Sequence, residues 1–103
     1  MSQALHVNVK YFGLVRNSIG KKEEVIELPP GASVRELLEA LVSKYGENVR
    51  DLILTSDGNL SAEAIVMLDG EDIRNRDELK TKLDGGIEAH LVVLAPAALG
   101  GAF

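Results

Sequence analysis

Glu23-Glu24-Val25-Ile26-Glu27-Leu28-Pro29-Pro30-Gly31-Ala32-Ser33-Val34-Arg35-Glu36-Leu37-Leu38-Glu39-Ala40-Leu41-Val42 decides the architecture. Residues 23–28 read as a β-strand. Pro29-Pro30-Gly31 stops it, because proline offers no ladder N–H and fixes its own φ. Ser33 is placed as a helix N-cap, with Glu36 three residues on as the second half of a capping box. Val34, Leu37, Leu38, Leu41 and Val42 recur at helical spacing, and Gly46 is a natural stop after Tyr45. The spacing predicts a strand feeding one amphipathic helix.

Toward the N-terminus, Leu5-His6-Val7-Asn8-Val9-Lys10-Tyr11-Phe12 alternates. Leu5, Val7, Val9 and Tyr11 share one face, as in a half-buried strand. Gly13 to Gly20 reads as a turn or wide hairpin loop, which makes the first two strands antiparallel. Toward the C-terminus, Asn48 to Glu63 gives no clear period, though Val49, Leu52, Ile53 and Leu54 need partial burial and Ser56-Asp57-Gly58-Asn59 reads as a turn. Ala64–Leu68 is a short apolar strand ended by the tight-turn pair Asp69-Gly70. Ile73 opens a short pairing segment or turn, and Asp77 to Leu83 suggests about one helical turn. Asp84-Gly85-Gly86 reads as another hairpin turn. Ile87 to Leu94 is the last strand, with Ile87, Ala89, Leu91 and Val93 on one face.

One helix laid across a mixed sheet of four or five strands buries both apolar faces. With the first and last strands side by side at the centre, the layout is an α+β β-grasp. The expected organisation is a β-grasp domain over residues 1–94 and a mobile tail over 95–103 that leaves the end of a central strand.

The chain has 103 residues, enough for one domain. Its net charge of -5 argues against nucleic acid and anionic membrane surfaces as partners. It contains no cysteine, which excludes disulfides, cysteine nucleophiles and zinc–cysteine sites. The N-terminus lacks the basic start and apolar core of a signal peptide, and no apolar run reaches membrane-span length, so a cytoplasmic location is expected. No GxxxxGK[ST] loop is present, so nothing in the chain is built for ATP.

The end of the sequence, Ala97-Ala98-Leu99-Gly100-Gly101-Ala102-Phe103, carries a diglycine where no turn demands one. Glycine loses the most conformational entropy on ordering, so a pair there suits a thin segment that enters another protein's active site. Val9-Lys10-Tyr11-Phe12-Gly13, Leu28 to Leu38, Ala64 to Ile73, Leu83-Asp84-Gly85-Gly86-Ile87-Glu88 and the stretch from Pro96 to Gly101 come in one order and spacing. Together they make a chain that resembles the ubiquitin-like sulfur carriers, most closely the small subunits of molybdopterin synthases. Family members usually finish on the diglycine, whereas here Ala102-Phe103 follow it.

The resemblance implies that Gly101, with Gly100 before it, carries the chemistry. Its carboxylate is adenylated and converted to a thiocarboxylate, for molybdenum or tungsten cofactor synthesis. ATP and its metal then sit on a ubiquitin-activator-like adenylating enzyme, and this chain binds no cofactor or metal itself. A second expected partner is the molybdopterin synthase large subunit, into which the tail, including Leu99, inserts. A zinc metallopeptidase is expected to remove Ala102-Phe103. The alternatives are a protein modifier joined to lysines through the same glycine, and a non-covalent β-grasp binding module.

By strand parity Phe12, Val92 and Leu94 point away from the core, where an apolar patch would suit partner docking. His6 and His90 could lie close if their strands are neighbours, but a metal would need further ligands, and solvated histidines are expected. Lys21-Lys22-Glu23-Glu24 and Arg74-Asn75-Arg76-Asp77 read as solvated charge runs, with an acidic partner for Arg74 and Arg76 as the alternative.

Overall fold

In the computed structural model, which describes residues 4–83 and 87–93, two strands from opposite ends of the chain lie together in the middle of one sheet. The strands are β1 (Leu5–Gly13), β2 (Glu23–Leu28), β3 (Ala64–Leu68), β4 (Glu71–Asp72) and β5 (Glu88–Val93). Their order is β2-β1-β5-β3-β4. β1 runs antiparallel to β2 and parallel to β5, while β3 is antiparallel to both β5 and β4. With helices packed on one face, this mixed sheet is a β-grasp, as the strand and helix spacing predicts.

Alternation decides what each strand buries. Val7, Val9 and Tyr11 of β1, Val66 and Leu68 of β3, and Ala89, Leu91 and Val93 of β5 are all buried on the core face. The helix α2 (Val34–Tyr45) covers them with Val34, Leu37, Leu38 and Leu41. Its N-terminus closes as expected: the Ser33 backbone N–H donates to the Glu36 carboxylate at 3.3 Å.

Two segments differ from the sequence reading. Gly13 to Gly20 is not an open loop but contains a helix, α1 (Leu14–Ile19), ended by Gly20 in the left-handed conformation with its N–H on the Arg16 carbonyl at 2.8 Å. Six residues are too few for a helix to persist on propensity alone. Packing holds it, through fully buried Val15 and half-buried Leu14 and Ile19. The unassigned stretch after Gly46 begins with α3 (Glu47–Ile53), which buries Val49 and Ile53 one turn apart. Leu54 then bridges Leu60 around the expected turn. Ile73–Asn75 and Glu78–Lys80 are short 3-10 turns, so of the two alternatives at Ile73 the structure has the turn, directly after β4. The Asp84-Gly85-Gly86 turn, Leu94 and the segment 95–103 lie outside the described residues.

A single carboxylate clamps one end of this core. Glu24 on β2 is almost buried, with a side chain 9% exposed. It accepts hydrogen bonds from Tyr11 Oη at 2.6 Å, from Lys44 Nζ at 2.6 Å, from Lys21 Nζ at 3.3 Å and from the Tyr45 hydroxyl. The clamp therefore joins β1, β2 and the last turn of α2. Burial pushes the Glu24 carboxyl up, but the bonds from Lys44, Tyr11, Tyr45 and Lys21 outweigh it and bring it from 4.5 down to about 2. The Tyr11 hydroxyl moves up, through burial first and then the adjacent Glu24 charge.

Replacing Glu24 with Gln should cost about 1–3 kcal/mol at pH 7, read as a lower urea midpoint with an unchanged slope. Because the folded carboxyl titrates below its ordinary 4.5, its contribution is complete above that value and fades as pH falls toward 2. The stability gap between wild type and Glu24→Gln should therefore narrow from pH 5 to pH 2; a gap constant over that range would contradict the clamp.

Candidate functional site

The face of the sheet opposite the core follows from the other parity. Phe12 pairs in register with Val92, and Val92 with Ile65, so one row crosses β1, β5 and β3. The next row is Lys10, His90 and Met67. Phe12 is 37% exposed, while Val92, Ile65 and Met67 are half-buried. The expected outward placement of Phe12 and Val92 is what the structure has. Leu94, Leu99, Gly100 and Gly101 fall outside the described residues. Ile65 and Met67 join the patch without having been singled out from sequence. Their signal is that Ala64-Ile65-Val66-Met67-Leu68 is apolar at both parities, more than a strand with one wet face needs.

A charged group borders the patch. Glu88 Oε1 contacts Lys10 Nζ at 3.0 Å and His90 Nε2 at 2.8 Å. These contacts, His90 first and Lys10 second, hold the Glu88 carboxyl below its usual range. The His90 ring also meets Phe12 edge-on, with centroids 5.4 Å apart. His6 sits four residues before the Lys10–His90 pair, so roughly 13 Å along the strand separates the two histidines. His6 pairs with Glu27 at 3.2 Å instead. Among the described residues no cluster of His, Asp and Glu could hold a metal ion.

Gly13 fixes how the two central strands end. Its φ of 76° is in the left-handed region, and it pairs in register with Val93, the last residue of β5. A Cβ on Gly13 would lie 2.1 Å from the Val93 carbonyl oxygen, well inside van der Waals contact. Only glycine lets β1 turn into α1 while touching the strand from which the chain runs on toward Gly100-Gly101.

The family model of the ThiS family matches residues 9–98, and the chain belongs to that family of ubiquitin-like β-grasp sulfur carriers. No curated protein matches the chain. Among solved structures it is similar to a Pyrococcus furiosus protein assigned as subunit 1 of a molybdopterin converting factor. That pair is 26% identical over 88% of this chain and 99% of the other, with a TM-score of 0.71. It is similar in fold to small archaeal modifier protein 1 of Haloferax volcanii, at 22% identity over 88% and 99% of the two chains and a TM-score of 0.75. A chain of the Amycolatopsis orientalis BexX/CysO complex matches at 19% identity over 87% and 97%, with a TM-score of 0.71. No described helix is long and apolar enough to cross a membrane.

Gly13→Ala should destabilise the protein by about 2 kcal/mol or more and reduce hydrogen-exchange protection at Val92 and Val93. Gly20→Ala is the control: its φ is 81°, yet nothing lies within 4 Å of the added carbon, so it should cost only about 1 kcal/mol. Equal losses in both variants would show that the approach to Val93 is not the constraint.

Proposed function

We propose that this chain is the sulfur-donating small subunit of a molybdopterin synthase, working through an acyl end at Gly101. The observation that carries the reading is the position of β5: a central strand that ends at Val93 beside the Phe12–Val92–Ile65 patch, eight residues before Gly101 in the sequence. Membership of a sulfur-carrier family and the likeness to the Pyrococcus furiosus protein support it.

In this reading a zinc metallopeptidase hydrolyses the bond after Gly101 and releases the Ala102-Phe103 segment. The freed carboxylate attacks the α-phosphorus of ATP held with its metal by a ubiquitin-activator-like enzyme, and pyrophosphate leaves. A sulfide-level nucleophile then attacks the acyl carbon, AMP leaves, and Gly101 ends as a thiocarboxylate. Adenylation turns a poor electrophile into a good one. Glycine leaves that carbon unshielded. Tail insertion into the synthase large subunit, with Leu99 and Gly100 in the channel, brings the sulfur to the pterin precursor. Phe12 and Val92 anchor both partners in turn.

Intact mass of the protein from its native source tests the chemistry. The expected species ends at Gly101 and is heavier than the free acid by the difference between one sulfur and one oxygen. Chains joined through Gly101 to lysines of other proteins, with no thiocarboxylate, would overturn the reading in favour of protein modification. Docking is tested separately. Phe12→Asp should leave the fold intact and reduce thiocarboxylate formation about tenfold or more, as expected for charging the centre of an apolar contact.

A further inference from the structure

We propose a second docking surface on the helix side of the sheet: a cationic cleft that takes an acidic, leucine-rich segment of a partner protein. The cleft, of about 550 Å³, lies between the first turn of α2, the loop through Asn59 and the two 3-10 turns. Half-buried Leu60 gives the cleft floor its accessible apolar surface, backed by Leu79 and Ile73, which are buried beneath it. Arg35, Arg74, Arg76 and Lys80 line it and outnumber its two carboxylates, Asp77 and Glu78, on a chain whose net charge is -5.

Two of these cations are held in place by neutral groups. Arg35 Nη1 donates to the Gly58 carbonyl at 2.9 Å, and Arg74 Nη2 to the Ala64 carbonyl at 2.9 Å. Backbone carbonyls orient a guanidinium without cancelling its charge, so both retain donors for an incoming carboxylate at little further ordering cost. Among the described residues Arg76 has only a long contact to Glu71, at 3.6 Å, and Lys80 has no ion pair. The four cations come from separate elements around the cleft, Arg35 from α2, Arg74 and Arg76 from the first 3-10 turn and its end, and Lys80 from the second, so each can meet a carboxylate on a different side chain of one peptide. Charge complementarity over an apolar floor fits a peptide that alternates acidic and aliphatic side chains.

The cleft and the outer patch are linked through β3. Arg74 is bonded to Ala64, which pairs with Val93, and the next residue, Ile65, faces the patch. One partner can thus hold β3 from both sides. The inference does not rest on sulfur chemistry, and its test involves none.

The test is a titration of the isotope-labelled full chain with a short synthetic peptide alternating leucine and glutamate, followed by amide chemical shifts. Saturable shifts confined to residues 35, 58–60 and 73–80, weakened by added salt, are expected. A leucine–lysine peptide should give none. Arg76→Glu with Lys80→Glu should weaken binding about tenfold, and Lys80→Gln alone, the milder change, should weaken it measurably. No saturable shift, or the same shifts with inorganic phosphate alone, would overturn the proposal. So would shifts that appear on raising protein concentration without peptide.

Discussion

The parallel pairing of β1 with β5 is the constraint on which the rest depends. Parallel neighbours cannot be joined by a tight turn, so the chain between them must cross over a face of the sheet. Here that crossover includes α2, which buries the inward parity of β1 and β5. The outward parity is left to make the patch. Slipping either strand by one residue would exchange Tyr11 for Phe12, or Leu91 for Val92, and turn the patch into the core. Gly13 is where the pairing is tightest, and a side chain there cannot be accommodated without parting the strand ends.

Two glutamates show how the same charge does different work on the two faces. Glu24 is nearly buried and takes bonds from two tyrosines and two lysines, so its ionisation is tied to folding. Glu88 is 41% exposed and meets a Lys10 that is 38% exposed. Water and salt screen such a pair, which contributes little to stability. Its effect is on the surface: it keeps the side chains of Lys10 and His90 beside Phe12 in a fixed arrangement, giving the patch a polar rim.

The parts legible in the sequence were those with local causes. The capping box at Ser33, the stripe from Val34 to Leu41 and the alternation of β1 and β5 each state their structure within a few residues. α1 and α3 were not legible, because two turns of helix leave too few repeats to establish a period. Val15 with Ile19, and Val49 with Ile53, do sit one turn apart, but each pair has meaning only once the sheet is there to receive it. The patch was half legible for a related reason. Parity exposed Phe12 and Val92, while Ile65 and Met67 lay hidden in a run apolar on both faces, and only strand order brings them beside β5.

A glycine acyl group has no features by which partners can recognise it. If Gly101 is the reacting end, specificity must come from surfaces fixed by the folded domain, and the energetics favour a sheet face for this. Its backbone is held on both sides by neighbouring strands, so little is lost to ordering when a partner docks, and burying the part of Phe12 still exposed can contribute about 1 kcal/mol. A surface made only of apolar side chains would hold successive partners equally well and resist exchange. On the proposed function, the Lys10–Glu88–His90 group at its border would add contacts whose strength depends on the charge each partner presents, which would let one patch bind one protein, release it and bind the next.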